Sequence, residues 1–401
     1  MTLPRLAPAF VVILSGIVGA LHIGKMPTAI PILREALGVT LVEAGFLLSM
    51  VQMAGMLVGV LIGLATDSLG LRRSVISGQL ILASASLGGL WAQQPADLLL
   101  LRGCEGLGFL LVVLPAPGLI RQLVPLGQLA LHLGLWGTYM ATGASLALLG
   151  GPTVMAAIGW QGWWSILGIC SALMAGWIAL QVPSDRQRQR TTPASAQATV
   201  AEAWWQRLRL TLTSAGPWRI ALAFAMYSSQ WLAVIGFLPS IYAQAGLGGQ
   251  TVGLLTALAC AINVTGNIAA GRLLHRGVCA RHLLYVGFVT MGLTTFLAFS
   301  SLTSEAPVIR YLAVLLFSAV GGVIPGTLFS LAVHVAPSER TVSTTVGWMQ
   351  QCSSTGQFFG PPLVAWLAGN VGGWQWTWVV TGCASLLGLW LARRVNFRPH
   401  A

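Results

Sequence analysis

Two pairs of charged residues stand inside otherwise apolar segments of the chain. His22 and Lys25 lie three positions apart near the N-terminus. Arg102 and Glu105 have the same spacing in a later segment. Residues at this spacing share one face of an α-helix. A charge inside a membrane costs about 2.5–3.5 kcal/mol on insertion scales, so it usually faces a partner or a water-filled cavity. The pairs therefore predict either an anion-binding site or an internal ion pair that only holds helices together.

Glu105 is the first candidate for proton transfer, because it is the only carboxylate deep inside an apolar segment. Proton coupling needs a group that changes its charge as its surroundings alternate between wet and dry. His22 and His132 are the next candidates, since histidine titrates near neutral pH. A lone histidine in such a segment is more often a hydrogen-bonded packing residue, and that interpretation stays open for both.

The second half of the chain supplies uncharged polar residues instead. Amide side chains in lipid need a partner or water, so these residues either line a cavity or bond neighbouring helices together. With the charged residues above, they complete the predicted solute-binding set: His22, Lys25, Arg102, Tyr227, Gln230, Trp231, Gln350 and Gln351.

Sulfur-containing residues offer a weaker hypothesis. Met50, Met53 and Met56 step by three, and His22 with Met26 forms a His-x-x-x-Met pair. Soft sulfur and imidazole could pass Cu(I) or a metal chelate, but a methionine stripe in an apolar helix is usually packing. The 6 cysteines are scattered without a CxxC. No resident metal site or cofactor is predicted.

The composition shows what must position these side chains. The chain has 401 residues, of which 56% are hydrophobic and 7% charged, and its mean hydropathy is +0.79. An ordinary soluble domain has roughly 25% charged residues, so a soluble globule is excluded. Apolar runs recur that are long enough to cross a hydrocarbon core of about 30 Å. This composition predicts a protein that crosses the membrane many times.

Apolar runs separated by polar breaks predict an all-α membrane protein with twelve spans. A polar linker at 183–216, with an interfacial helix at Ala203–Leu212, separates the halves 1–182 and 217–401. The approximate predicted limits are 8–30, 41–64, 74–92, 97–120, 128–150, 162–182, 218–243, 250–272, 281–301, 307–333, 342–369 and 375–392.

The basic residues predict the orientation. The net charge is +12 with 21 Lys and Arg, but these residues lie in short gaps between spans, unlike the basic face of a nucleic-acid-binding protein. With both termini in the cytoplasm, seventeen of the 21 fall on the inner side and only Arg34 in an outer loop. Lys25, Arg102 and Arg310 fall within spans. This asymmetry follows the positive-inside rule and predicts a cytoplasmic linker.

The two halves repeat several landmarks. Arg102 and Arg310 are 208 residues apart, and Gly151-Pro152 and Gly360-Pro361 are 209 apart. A similar spacing relates the ends of spans two and eight. Repeated landmarks at nearly one offset indicate a duplicated six-helix unit, which is a common plan of transporters. The prediction is therefore two pseudo-symmetric six-helix bundles.

A motif after the second span identifies a family resemblance. Gly63, Asp67, Gly70, Arg72 and Arg73 are similar to the loop-two-three motif of the major facilitator superfamily, and the resemblance covers essentially the whole chain. It implies a charge network at the inner surface that holds one conformation and releases in another. The alternative is a loop whose charges only set the topology.

Other segments refine the resemblance. Leu101–Gly108 resembles the superfamily's span-four motif. Gly150–Pro152 resembles its span-five antiporter motif, but Thr138 and Ala147 replace expected glycines, which argues against a drug/proton antiporter. Segments 19–27 and 227–239 look more like the branch of cyanate and nitroimidazole permeases. The family arrangement implies that spans one and four border a central cavity.

These observations lead to a functional expectation. We expect a secondary transporter of the bacterial inner membrane that moves a small polar or anionic solute by alternating access, with protons and as a monomer. A proton-driven exporter of drug-like cations is the alternative, and a copper or metal-chelate transporter is a further one. A membrane enzyme would need a nucleophile–base pair, a carboxylate cluster or a metal-ligand set near a membrane face, and the sequence suggests none of these.

Overall fold

The computed structural model describes residues 7–185, 204–338 and 341–394, and every regular element in these ranges is a helix. Several spans are built from two shorter helices joined end to end. The first six spans comprise Pro8–Leu37; Leu41–Ser49, Met50–Gln52 and Met53–Leu69; Leu71–Gly88; Pro95–Val113 and Ala116–Leu123; Leu126–Trp136 and the first part of Tyr139–Gln181; and the rest of Tyr139–Gln181.

The C-terminal half follows a helix at Trp204–Thr213, where the sequence predicted an interfacial helix. Of the predicted linker 183–216, residues 186–203 lie outside the described residues. Spans seven to twelve are Ala215–Gln244; Gly249–Ala261 with Asn263–His275; Ala280–Phe299; Pro307–Gly321 with Val323–Val335; Val342–Val371; and Thr377–Arg393. The predicted all-α fold of twelve spans in two six-helix bundles is confirmed.

The fifth and sixth spans have no loop between them. In the part of the chain that the structure describes, nine helical segments are long and apolar enough to cross a membrane, and one of these, His132–Gln181, is 50 residues long. Gly159 divides it with φ 75° and ψ 171°, a conformation that glycine adopts readily. The fifth span therefore continues past its predicted end at residue 150. Val342–Val371 and the 17-residue Thr377–Arg393 complete the twelve.

We call the face that carries the start of the first span the inner face, and the opposite face the outer face. The first span is longer than predicted, since it ends at Leu37 and Gly38 closes it with φ 66°. Pro27 and Pro31 lie inside this helix without ending it. Lys25 is therefore about 18 Å from the outer end at 1.5 Å per residue, deeper than the predicted end of the span at residue 30 implied.

Glycines set the rotation of the first span. A Cβ on Gly24 would lie 2.5 Å from the Ala144 carbonyl oxygen and 2.8 Å from the Ala144 Cα. Spans one and five therefore pack backbone to backbone, as small residues allow in membrane proteins. The next residue, Lys25, is turned by about 100° around the helix and contacts Ser86, Glu105 and Trp164 inside the N-terminal bundle.

The two halves meet through spans one and seven, two and eleven, and five and eight. An apolar cluster joins the halves near the outer face, where Ile30 and Leu33 pack with Phe237, Val364 and Ala365. All five side chains are almost completely buried. The outer ends of the halves are therefore in close contact.

Candidate functional site

The two charged pairs predicted from the sequence meet in one buried cluster. Glu105 lies between the two cations: Lys25 Nζ donates to its Oε1, and Arg102 Nη1 donates to its Oε2 at 2.6 Å. The side chains of Lys25, Arg102 and Glu105 are 0%, 2% and 1% exposed. Both carboxylate oxygens are engaged, which a buried carboxylate requires.

Lys25 has further partners on two other spans. Its Nζ donates to Ser86 Oγ of span three at 3.1 Å and lies 4.6 Å from the centre of the Trp164 ring in span six. Ser86 Oγ donates its own proton to the Trp164 carbonyl at 2.9 Å. Since that proton is used, the serine can only accept from Lys25, and this stabilises the charged ammonium group.

His22 connects the cluster to span six. Its Nε2 lies 2.8 Å from Ser171 Oγ, and its Nδ1 lies 3.5 Å from Glu105 Oε1. Its Nδ1 is also 3.5 Å from Lys25 Nζ. Both ring nitrogens therefore face groups that can exchange protons or hydrogen bonds.

Arg102 is held mainly by backbone carbonyls. Its Nη1 donates to the His22 carbonyl at 2.7 Å, and its Nε donates to the Leu47 carbonyl at 3.1 Å. Its Nη2 is buried and finds no hydrogen-bond partner among the described residues. An unsatisfied buried donor costs about 1–3 kcal/mol, so this nitrogen is available to an acceptor.

The counterpart of Arg102 in the repeat has a different position. Arg310 lies within span ten, as predicted, three residues after Pro307, the first residue of that span. Its Nη2 donates to the Ser300 carbonyl at 2.7 Å in the outer loop. Arg102 is seven residues after Pro95, the start of span four, so it lies one helical turn deeper.

The polar residues predicted in span seven bond within the C-terminal half. Tyr227 Oη and Asn263 of span eight are hydrogen bonded. Gln230 Oε1 accepts from Ser385 Oγ of span twelve at 3.1 Å, and Trp231 Nε1 donates to Ser318 Oγ of span ten at 3.3 Å. Gln230 Nε2 donates to the Met226 carbonyl within span seven at 3.0 Å. The other three contacts connect neighbouring spans of the C-terminal half, and none of the four is with the charged cluster.

Gln351 joins the two halves. Its Oε1 accepts from the Val60 amide at 3.2 Å and its Nε2 donates to the Met56 carbonyl at 2.9 Å, both in span two. It therefore bonds helices together across the interface. Its neighbour Gln350 is half-buried on the same span.

His132 lies apart from the cluster. Its Nδ1 faces the Gln128 carbonyl at 2.9 Å, and its ring centre is 5.2 Å from that of Phe10. These contacts are those of a packing histidine near the inner end of span five.

The loop after span two is organised by a residue that the motif does not contain. The Asp185 carboxylate accepts from the backbone amides of Arg72 at 3.0 Å and Arg73 at 3.2 Å. Arg72 Nη2 also donates to the Ala179 carbonyl of span six at 2.5 Å. The preceding Gly70 has φ 92°. The motif's Gly63 and Asp67 lie in the helix Met53–Leu69, but the position of the Asp67 side chain lies outside what the structure describes.

Sequence reasoning missed Ser86, Trp164, Ser171 and Asp185. The serines stand out only as hydroxyls in apolar spans, and the sequence does not show which helix each one faces. Asp185 is the first acidic residue after span six, and its proximity to span three follows from the fold alone.

A family model matches most of the chain. The model described as Major Facilitator Superfamily matches residues 9–349. A curated relative named 2-nitroimidazole transporter, from Escherichia coli (strain K12), is 24% identical over 358 residues, which cover 86% of this chain and 83% of the relative.

Solved structures share the fold at low sequence identity. The crystal structure of a D-xylose-proton symporter matches with TM-score 0.76 and 15% identity, covering 97% of both chains. A bacterial homologue of the human lysosomal transporter Spinster, in an inward-facing and occupied conformation, matches with TM-score 0.79 and 15% identity over 98% of both chains. The chain thus belongs to the Major Facilitator Superfamily, and it is a multi-pass membrane transporter rather than an enzyme.

Proposed function

We propose that this transporter moves a small polar or anionic solute together with protons, as a monomer in the bacterial cytoplasmic membrane. The observation that carries the proposal is the charge balance of the buried cluster. Lys25 and Arg102 supply two positive charges, and Glu105 supplies one negative charge. One positive charge remains uncompensated in a low-dielectric setting, where an anionic group would be favoured.

Glu105 supplies a means of coupling. If Glu105 takes up a proton, both cations lose their partner, and the uncompensated charge doubles. An anion entering the cluster would then restore the balance, with Arg102 Nη2 as its first donor. Proton and anion would therefore bind together more favourably than either alone, as cotransport requires.

The comparisons support a polar solute. The E. coli relative is named for 2-nitroimidazole, whose nitro oxygens accept hydrogen bonds. Nitro and carboxylate groups present the same two-oxygen edge to a guanidinium. A drug-like cation is less compatible, because it would have to compete for Glu105 with Lys25 and Arg102.

The orientation belongs to the same proposal. The linker, both termini and the Arg72–Arg73 loop would lie in the cytoplasm, since seventeen basic residues fall on that side. In the described ranges, Arg34 lies in the last turn of the first span, consistent with its position on the outer side.

An uptake screen tests the proposal. Purified protein in liposomes would be offered small carboxylates, cyanate, nitrate and 2-nitroimidazole, and a matched series of organic cations, with and without a pH gradient. We expect accumulation of an anion or nitro compound that rises with an inward proton gradient. Arg102→Gln is the matched control and should abolish it. If only the organic cations move in response to the proton gradient, the proposal is overturned in favour of a proton-driven exporter of drug-like cations.

A further inference from the structure

A polar cleft, which we call the outer cleft, lies at the outer face of the protein. It has a volume of about 420 Å3, within the range of small-molecule sites. One wall is the end of the first span, with Arg34 and Glu35. The other is the end of the seventh span, with Ser240, Ala243 and Gln244. Each wall therefore belongs to a different half of the transporter.

Gln244, which lines the outer cleft, has an amide nitrogen that its contact with Trp374 leaves unused. Trp374 Nε1 lies 2.9 Å from Gln244 Oε1. An indole nitrogen can only donate, so the atom facing it must be the amide oxygen. This fixes the orientation of the amide and leaves Gln244 Nε2 as a donor for another group.

Ser240 provides a second polar group that is not satisfied. It is 3% exposed, and its Oγ is buried without a hydrogen-bond partner in the ranges that the structure describes. It also lines the outer cleft. An unsatisfied hydroxyl costs about 1–3 kcal/mol, and a ligand in the cleft would relieve this cost.

Arg34 provides the charge. It occupies the last turn of the first span, where it offsets the partial negative charge of the helix end. A guanidinium binds an oxyanion through two parallel hydrogen bonds. Glu35 is the next residue along the helix and also lines the cleft, so its carboxylate partly offsets the charge of Arg34 there. The two side chains leave the helix about 100° apart, and an anion bound through the guanidinium lies on the Arg34 side.

We propose that the outer cleft binds a small oxyanion, such as a carboxylate or sulfonate group, which bridges Arg34 of one half and Ser240 and Gln244 of the other. A ligand that contacts both walls binds only while the walls are together. It must therefore stabilise the conformation in which the outer ends of the halves are closed. An anion from outside that binds in the outer cleft would therefore slow the change of the transporter from the closed to the outward-open conformation.

A tethered anion tests this site without knowledge of its natural ligand. Ala243→Cys places a thiol in the cleft at an exposed position. Sulfonatoethyl methanethiosulfonate attaches a sulfonate there, with loss of methanesulfinate. The trimethylammonium reagent attaches a cation of similar size, and methyl methanethiosulfonate attaches a neutral methylthio group. The readout is the Tm of the full-length protein in detergent.

We expect the sulfonate adduct to raise Tm by about 2–4 °C over the neutral adduct, and the ammonium adduct not to do so. The increment should vanish in Arg34→Gln and in Ser240→Ala, one variant on each wall. Ser304→Cys, in the exposed outer loop between spans nine and ten, should give equal Tm values for all adducts. Wild-type protein treated with the same three reagents shows how much modification of the native cysteines changes Tm.

Three outcomes would overturn the proposal. Equal Tm values for all Ala243→Cys adducts would show that the cleft has no preference for an anion. A sulfonate increment that persists in Arg34→Gln would show that the predicted donor is wrong. An increment that is lost in Arg34→Gln but retained in Ser240→Ala would show that one half alone holds the anion.

Discussion

His22 and Gln230 occupy equivalent positions in the two halves of the transporter. They are 208 residues apart, and each bonds to a serine in the last span of its own half. His22 Nε2 lies 2.8 Å from Ser171 Oγ, and Ser385 Oγ donates to Gln230 Oε1 at 3.1 Å. The duplicated fold therefore repeats a hydrogen bond between its first and last spans.

A second hydrogen bond is repeated with different chemistry. Arg102 Nε donates to the Leu47 carbonyl at 3.1 Å, and Tyr311 Oη donates to the Leu255 carbonyl, also at 3.1 Å. The two carbonyls are again 208 residues apart. The scaffold contacts are thus shared, whereas the buried charged side chains of the described residues all lie in the first half.

The difference is clearest at the ion pair itself. At the same offset, Lys25 corresponds to Ala233 and Glu105 corresponds to Ala313. The equivalent place in the second half is therefore apolar. We infer that proton and anion chemistry are carried by the first half, while the second half supplies neutral polar contacts.

Removing single charges from the cluster should have unequal effects on stability. Glu105→Gln leaves two neighbouring cations without a carboxylate, and breaking a buried pair in this way costs about 3–5 kcal/mol. Lys25→Met leaves the Glu105–Arg102 pair intact and electrically balanced, so its cost should be nearer 1–3 kcal/mol, that of a lost hydrogen bond. Thermal unfolding in detergent measures both, and an equal loss in the two variants would contradict the charge balance proposed above.

The repeated serines allow a matched comparison. Ser171→Ala and Ser385→Ala each remove one hydrogen bond, so each should lower the unfolding free energy by about 0.5–1.5 kcal/mol. Only Ser171 orients His22 beside Glu105. Ser171→Ala should therefore also change how proton-driven uptake depends on pH. If Ser385→Ala changes that dependence equally, the effect arises from general loosening of the bundle.

The close contact of spans one and five gives a prediction about packing. Gly24→Ala places a methyl group 2.5 Å from the Ala144 carbonyl oxygen, and such overpacking typically costs about 1–3 kcal/mol. Gly150→Ala, in the same pair of spans, meets no described atom within 4 Å. Thermal unfolding should show a clear loss for the first variant and little change for the second. Equal effects would show that this contact does not set the helix positions.

The sequence predicted the fold and part of the site for a physical reason. The helical period determines that His22 and Lys25 share a face, as do Arg102 and Glu105. It does not determine how far each helix is rotated toward its neighbours. That rotation depends on close contacts such as Gly24 against Ala144, which the hydrophobic pattern does not reveal.

The hydrophobic pattern also does not reveal how far the first helix extends, and this explains why Lys25 lies deeper than expected. The first span was expected to end near residue 30, where the apolar run ends. In the structure the helix continues through Pro27 and Pro31. Lys25 is consequently near the middle of the span.

The proposed orientation has its own test. A cysteine introduced at Thr192, in the middle of the linker, should be protected from an impermeant thiol reagent in intact cells and react after the cells are opened. The reason is the excess of basic residues that flank the inner ends of the spans. Ser304→Cys in the proposed outer loop is the control and should react in intact cells. Labelling of Thr192→Cys in intact cells would reverse the topology.

The measurement that tests the central claim most directly is a comparison of accumulation and exchange in Glu105→Gln. This variant resembles the protonated carboxyl group in shape but cannot release a proton. In liposomes, it should fail to concentrate solute under an imposed pH gradient, yet still exchange labelled for unlabelled solute across the membrane. Exchange also shows that the variant is folded. Accumulation that still rises with the pH gradient in Glu105→Gln would show that Glu105 does not carry the coupled proton.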